Sequence, residues 1–314
     1  MSSIVTITVN PSVDKSSNVG QVRPEVKLRC GPPVYEPGGG SVNVSRAIKR
    51  LGGDSLAMYT SGGHPGGLLG ELLDREGITR QAFPVSGLTR DNLIVYEESS
   101  GRQFRFGMPG PELSAEECDA MLSALSSLTP PPSYIVASGS LPPGVSDDFY
   151  ARVARLARES GTRTVIDTSG GPLLAAAEEG VFLLKPNLRE LRALSGASEE
   201  GESHIRSMAK EVLSGGKTHA IVVSVGSQGA FMVSKDGSSR VRAPTVPIRS
   251  KVGAGDSMVG GIVLKLSEGW ELESAVKYGV AAGSAAVMTP GTELCRKEDT
   301  ERIFREMEST AGGL

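Results

Sequence analysis

Two hydrophobic rhythms divide the chain. Short β-branched runs bounded by glycine, proline or asparagine predict strands, and apolar positions three and four apart predict helices. Residues 4–9 form the first such run, which Asn10-Pro11 ends. Residues 26–30, 34–36, 92–98 and 102–108 alternate apolar with polar or charged positions, as strands with one wet face do. Ser99-Ser100-Gly101 joins the last two as a hairpin. These four segments predict a small antiparallel sheet that protrudes from the core. Pro37-Gly38-Gly39-Gly40 opens a helix with Val44, Ile48 and Leu51 at helical spacing, and Gly52-Gly53 stops it. Residues 55–60 then predict a strand, and 68–73 a helix that ends at Gly77.

From residue 114 the alternation becomes regular. Helices are predicted at 114–128, 146–160 and near 172–179, and another is opened by Lys185-Pro186-Asn187. Strands are predicted at 134–137, 164–167, 181–184, 220–225 and 230–233, and helices dominate after Gly255. Strands and helices in alternation predict a doubly wound α/β fold, its mostly parallel sheet covered by helices on both faces. With no internal repeat, low-complexity segment or linker, residues 1–314 read as one α/β domain, with strands inserted near 12–37 and 88–109.

Composition narrows the function classes. Hydrophobic content of 39% and charged content of 22% fit a soluble globular chain. A net charge of −3 with no basic block argues against nucleic acid as a partner. Cys30, Cys118 and Cys295 are odd in number and lack C-x-x-C spacing, which fits a reducing cytoplasm better than disulfides or a zinc site. The N-terminus enters a strand directly and no long apolar run follows, so neither a secretion signal nor a membrane span is expected. The 40 glycines cluster, which points to ligand-binding turns.

One cluster is Lys251-Val252-Gly253-Ala254-Gly255-Asp256-Ser257, followed by an apolar run with small residues. It reads as a tight turn feeding a helix N-terminus, whose unpaired amides suit an anion. Asp256 there is either a first-turn carboxylate satisfying those amides or a base beside a bound phosphate. Doubly wound sheets bind ligands outside the carboxyl ends of their strands, and residues 10–14, 138–144, 185–190 and 224–229 fall at such ends. No G-x-G-x-x-G follows the first strand, which disfavours a dinucleotide oxidoreductase. Gly215-Gly216-Lys217-Thr218 imitates the end of a P-loop, but Glu211 stands where the first glycine belongs, so it reads as a helix C-terminal turn. No G-x-S-x-G elbow is present, and His64, His204 and His219 lack metal spacing.

Four motifs occur together in order: Gly39-Gly40-x-x-Asn43-Val44, Lys185-Pro186-Asn187-x-x-Glu190, Ser224-x-Gly226-x-x-Gly229 and Gly253-Ala254-Gly255-Asp256-Ser257. This set resembles the ribokinase (phosphofructokinase B) family of sugar kinases, over residues 4–308. Residues 27–30, 36–40, 139–144 and 279–286 most resemble members that phosphorylate fructose 6-phosphate. Members acting on fructose 1-phosphate or tagatose 6-phosphate usually carry Gly-Lys-Gly before the asparagine, where this chain has Gly39-Gly40-Ser41. The resemblance therefore implies transfer of phosphate from MgATP to the 1-hydroxyl of fructose 6-phosphate. The other two sugar phosphates remain alternatives, as does a sugar-phosphate sensor without activity.

The same resemblance assigns roles. Asp256 would be the base, and the amides of Gly253, Ala254 and Gly255 the anion hole. Asp14, Gly39, Gly40 and Asn43, with Ser138 and Gly139, would hold the sugar. Lys27, Arg90 and Arg105, with Arg29 behind them, would grip its phosphate; otherwise they are solvated strand charges, and Asp14 a turn residue. Lys185 would meet the ATP phosphates, with Ser224, Gly226 and Gly229 bordering the nucleotide. Asn187 and Glu190 would organise Mg²⁺ through water, and their spacing is also that of a capping box. Backbone oxygens of Ser250, Val252, Ala286 and Gly291 would bind K⁺; Thr289 and Glu293 replace an asparagine and an arginine of the similar members there, so Glu293 is expected to strengthen or alter that site. The resemblance makes the small protruding sheet a lid over the site, and a homodimer is expected through it, with Val26, Leu28, Val34, Leu93, Val95, Phe104 and Phe106 as contacts.

Overall fold

The computed structural model describes residues 3–197, 201–215 and 218–311. The P-loop imitation lies partly outside them, at Gly216 and Lys217.

The first half runs β1 (Ile4–Thr8), β2 (Ser12–Val19), β3 (Val34–Gly38), α1 (Gly40–Arg50), β4 (Leu56–Ser61), α2 (Gly63–Arg75), β5 (Thr79–Pro84), β6 (Arg90–Glu97), β7 (Arg102–Phe106) and α3 (Ala115–Ser126). The second runs β8 (Tyr134–Ser138), α4 (Phe149–Glu159), β9 (Arg163–Asp167), α5 (Gly171–Glu179), β10 (Leu183–Leu184), α6 (Leu188–Ser195), α7 (Glu202–Gly215), β11 (Ala220–Ser224), β12 (Ala230–Ser234), β13 (Ser238–Val241), α8 (Ala254–Ser267), α9 (Leu272–Ala286) and α10 (Lys297–Ala311).

Nine strands form one sheet in the order β13-β12-β11-β10-β9-β8-β1-β4-β5. From β5 to β11 they are parallel; β12 and β13 add antiparallel at one edge. Helices cover both faces of this sheet, each face with its own apolar cluster. The strand order reverses between β1 and β8, so the crevice at their carboxyl ends is the expected ligand site.

The second sheet has the order β3-β2-β6-β7. Three features differ from the sequence reading. Residues 26–30 form no strand: Pro24, Pro32 and Pro33 flank them, Glu25 turns to positive φ, and the stretch is exposed without a pairing strand. The fourth strand is instead β2, whose polar Ser-Val-Asp-Lys-Ser-Ser hides it from a hydrophobicity reading. It pairs parallel to β6, so the sheet is not wholly antiparallel. On the main sheet, the edge strands β5 and β13 also went unforeseen, because only Phe83 in β5 and Val241 in β13 are buried.

Close helix packing brings the N-terminal and C-terminal halves together. A Cβ at Gly260 of α8 would lie 2.9 Å from the Ala47 Cβ and 3.2 Å from the Val44 carbonyl, so α1 and α8 touch backbone to backbone. Helix α1 is buried from Ser41 to Ile48 without a polar face to water, so its polar side chains need internal partners.

Candidate active site

Helix α8 starts at Ala254, with Gly253 as N-cap in the left-handed conformation and no side chain capping it. Asp256 therefore stands inside the first turn and is not the cap. Its Oδ2 accepts a 2.9 Å hydrogen bond from the Asn43 Nδ2 of α1. Burial, then the charge of Asp167, pushes the Asp256 carboxyl up to about 7; the Asn43 bond and the Lys185 ammonium oppose this, and Asp14 adds to it.

On one side of Asp256 lies a polar wall. The Asp14 Oδ1 of β2 accepts from the Ser12 hydroxyl and from the Asn92 Nδ2, both at 2.8 Å. The register pairs Ser12 with Arg90, Asp14 with Asn92, and Ile94 with Arg105, so these side chains share one face of the small sheet. Arg90 donates to the Asn10 carbonyl at 2.9 Å and the Met108 carbonyl at 3.1 Å, which fixes its guanidinium at the crevice. Burial lowers its pKa, against the charge of Asp14. Its Nε is buried without a partner among the described residues. Lys27 and Arg29 are exposed in the connection between β2 and β3, and Arg105 is exposed on β7.

The wall closes at the glycine turn. A Cβ at Gly40 would come within 2.5 Å of the Ser138 carbonyl carbon and 2.6 Å of the Gly139 nitrogen. Only glycine lets the start of α1 sit against the end of β8. The Ser138 amide donates to the Ser41 hydroxyl at 2.6 Å and locks that junction. Gly39, Gly40, Ser138 and Gly139 thus meet at the switch point.

On the other side lies Lys185, just after β10 and buried. Its Nζ is 3.1 Å from the Asp167 carboxylate, which ends β9. A Cβ on Gly255 would lie 3.6 Å from that Nζ, so the ammonium sits beside the start of α8. Burial pulls the Lys185 pKa down, but Asp167, Asp256 and Glu190 outweigh it and hold the group cationic. Burial raises Asp167 against the pull of Lys185.

Asn187 and Glu190 form a capping box at the start of α6, with bonds of 3.0 and 2.8 Å. Burial raises the Glu190 pKa, the Asn187 amide opposes it, and the charge of Asp167 adds to it. Asn187 and Ser224 are bridged across their strand ends. Together with Arg189, Gly226, Gln228 and Phe231 they line a cleft of ≈ 660 Å³. Gly229 closes the turn behind them, its amide donating to the Gly226 carbonyl at 3.0 Å; it has positive φ, and a Cβ there would collide with the Val241 carbonyl.

The loop after α9 is largely self-satisfied. The Ala286 carbonyl accepts from the Thr289 hydroxyl at 2.8 Å and the Thr289 amide at 3.2 Å. The Gly291 carbonyl accepts from the Ser250 hydroxyl at 2.8 Å, and the Val252 amide donates to that same hydroxyl at 3.2 Å. Glu293 turns away to Arg296 at 2.7 Å, so its carboxylate is spent on the start of α10.

Asp167, Asn92 and Ser12 belong to this site and were not singled out from the sequence. Asp167 carried a usable signal, since it closes a predicted strand at its carboxyl end. Among the described residues no three acidic, histidine or cysteine groups stand close enough to hold a metal alone. Asp167 and Glu190 still offer hard oxygen donors in a pocket with surplus negative charge. That suits a magnesium ion completed by phosphate oxygens and water.

The chain is similar to known sugar-phosphate kinases. ATP-dependent 6-phosphofructokinase isozyme 2 of Mycobacterium tuberculosis is 43% identical over 301 residues, covering 96% of this chain and 88% of that protein. The isozyme 2 of Escherichia coli is 42% identical over 302 residues, covering 96% and 97%. Phosphofructokinase-2 from Escherichia coli, solved in complex with potassium, has a TM-score of 0.94 at 41% identity, covering 98% of this chain and 100% of its own. Solved with fructose-6-phosphate, it has a TM-score of 0.92 at 40% identity and the same coverage. Lower down stand 1-phosphofructokinase of Bacillus subtilis, 31% identical over 98% of this chain and 99% of its own, and tagatose-6-phosphate kinase of Staphylococcus epidermidis, 30% identical over 97% and 98%. The family model for pfkB family carbohydrate kinases matches residues 3–299. With Asp256 at its helix start and a doubly wound sheet behind it, the chain belongs to the pfkB family of carbohydrate kinases.

Proposed function

We propose that this chain is an ATP-dependent 6-phosphofructokinase that phosphorylates the 1-hydroxyl of fructose 6-phosphate. The observation that carries this reading is Asp256, bonded to Asn43 on the sugar side and beside the Lys185–Asp167 pair on the nucleotide side. Asp14, Asn43 and the Gly39-Gly40 turn against Ser138 and Gly139 hold sugar hydroxyls. Arg90, Arg105 and Lys27 receive the 6-phosphate; Arg90 and Arg105 share the face of Asp14.

Asp256 takes the proton of the 1-hydroxyl as that oxygen attacks the γ-phosphorus, and the bridging bond to ADP breaks. A carboxylate with a pKa of about 7 is a far better acceptor than one near 4. The amides of Gly253, Ala254 and Gly255 face the charge that develops on the phosphoryl oxygens, and Lys185 adds a cation. The nucleotide lies toward the cleft of Asn187, Ser224 and Gly226. Asp167 and Glu190 would hold magnesium, which would supply charge neutralisation on the phosphates.

Potassium would draw on Ser250, Val252 and Gly291. Ala286 contributes less, because Thr289 already fills its carbonyl, and Glu293 is not a ligand. Dimer formation through the small sheet is supported by exposed Val26, Leu28, Val34 and Phe106. Val95 drops out as a contact, being 6% exposed. Val34 and Phe106 lie on opposite faces of the sheet by register, so the dimer uses its free edge and the loop before β3 as well as one face. All three cysteines are free, which supports a reducing, cytoplasmic setting. No helix among the described residues is long and apolar enough to cross a membrane.

A coupled kinase assay over fructose 6-phosphate, fructose 1-phosphate and tagatose 6-phosphate, with K⁺ or Na⁺, tests the reading. Higher kcat/KM on either of the last two sugars overturns the substrate assignment, and equal rates in both salts remove potassium.

A further inference from the structure

We propose that Arg46 is a positioning residue of the sugar side: it turns the Asn43 amide toward Asp256 and fastens β3 and the loop at 288–294 around it. The inference rests on the reading of Asp256 and Asn43 given above.

Arg46 is fully buried on α1, one turn beyond Asn43. Its Nε donates to both oxygens of Glu76 at 3.0 Å, and its Nη2 to Glu76 at 2.7 Å and Glu36 at 3.4 Å. Its Nη1 faces inward, and its two N–H groups are shared among three oxygens from three parts of the chain. These are the Pro37 carbonyl of β3 at 3.0 Å, the Thr292 carbonyl at 3.1 Å and the Asn43 Oδ1 at 3.3 Å. Glu36 completes the fastening, since its other oxygen accepts from the Thr292 hydroxyl at 2.5 Å.

The chemistry of these groups fixes one orientation. A guanidinium only donates, so Asn43 must show it the amide oxygen. An ionised Asp256 only accepts, so it must meet the amide nitrogen. Arg46 and Asp256 hold Asn43 from opposite ends. Pro37 directly precedes the glycine turn at 38–40, so the same guanidinium also sets where that turn lies. A lysine keeps the charge between Glu36 and Glu76 but cannot reach three carbonyl-type oxygens and two carboxylates at once.

The test is Arg46→Lys, compared with Leu122→Ala, a core change in α3 on the other face of the main sheet. Rates are normalised to the folded fraction by circular dichroism. Both variants melt earlier. Arg46→Lys is expected to lower kcat about tenfold and raise the KM for fructose 6-phosphate severalfold, leaving the KM for ATP unchanged, because misplacement by under an ångström is costly at the reacting hydroxyl. Leu122→Ala keeps all three constants. In the Asn43→Ala background, Arg46→Lys should add little further loss, as expected when one residue acts through the other. Wild-type constants in folded Arg46→Lys, or full additivity with Asn43→Ala, would overturn the proposal. Where Arg46→Lys fails to fold, Glu36→Gln loosens the same fastening and should show the same split, more mildly; an unchanged sugar KM there overturns it too. If Asn43→Ala itself retained wild-type activity, the reading of the site would fall, independently of Arg46.

Discussion

Asp256→Asn should give a kinase that is nearly inactive and, above neutral pH, more stable. The displacement of the Asp256 carboxyl from 3.8 to about 7 measures what the fold loses by ionising it. At 1.36 kcal/mol per decade this is roughly 4 kcal/mol at pH 8 as an upper figure. The sign follows from proton counting. Between pH 4 and 7 the folded chain binds the proton that the unfolded chain has released, so stability falls as pH rises through this window. Asparagine abolishes that loss, and its amide oxygen can still accept from the Asn43 Nδ2. For 314 residues the unfolding entropy is about 0.66 kcal/mol/K, so 2–4 kcal/mol corresponds to a Tm gain of roughly 3–6 °C at pH 8. At pH 4, where wild-type Asp256 is protonated, the two proteins should melt within about a degree of each other. Activity should fall by about 10²–10⁴-fold from lost base catalysis. Paired melting curves at pH 4, 6 and 8, with coupled assays on the same samples, decide the matter. Equal melting temperatures at pH 8 would refute the buried, base-like carboxylate, and wild-type turnover would refute its role.

For the wild type, kcat/KM should rise with pH and level off above about 7, as Asp256 ionises; a rate flat from pH 5.5 to 8 would argue against it as the base. Asn43→Ala removes the hydrogen bond that holds this pKa down, so the acidic limb should move to higher pH in a pH–rate profile. Lys185→Met leaves the partly buried Asp167 without its partner at 3.1 Å; it should cost about 1–3 kcal/mol in denaturant melts and raise the KM for ATP more than that for the sugar. Gly260→Ala would press against Ala47 and Val44, pushing α1 from α8 at a cost of about 1–3 kcal/mol. Because α1 carries Asn43 and α8 carries Asp256, its normalised kcat should fall while the ATP KM stays.

How far the sequence reaches depends on whether burial or pairing defines an element. Strands β1, β8 and β11 are buried along nearly their whole length and β9 through its middle, and their β-branched runs were plain. Strand β2 was invisible because its polar residues serve the site: Asp14 and Ser12 face Asn92, not solvent. Residues 26–30 erred the other way, since alternation without a neighbouring strand makes no sheet. In the site, Asp256, Asn43 and Lys185 were legible because local motifs carry them. Asp167 and Asn92 were not, because their partners lie 18 and 78 positions away, and Arg46 was not, because what its reach to Asn43 and Pro37 means depends on Glu76 and Thr292, 30 and 246 positions away. Glu293 shows the limit of arguing from charge alone: Arg296, three residues on, had already claimed it.

The choice of a helix start for Asp256 has an electrostatic consequence. A helix N-terminus ordinarily lowers a carboxylate pKa, by an amount worth up to about 2 kcal/mol. Here the net displacement is upward, to about 7, so burial and the charge of Asp167 together exceed what the Asn43 hydrogen bond and Lys185 return, and no first-turn amide contributes. The N-cap is a glycine with no side-chain bond, and the Asp256 oxygen nearest a donor is turned to Asn43. The first-turn amides are therefore not spent on the carboxylate beside them. On the proposed reading they stay open to a second anion, the phosphoryl group in transfer, whose charge is spread over its three equatorial oxygens. On that reading the Asn43 bond and the glycine cap are what keep base and anion hole from neutralising each other.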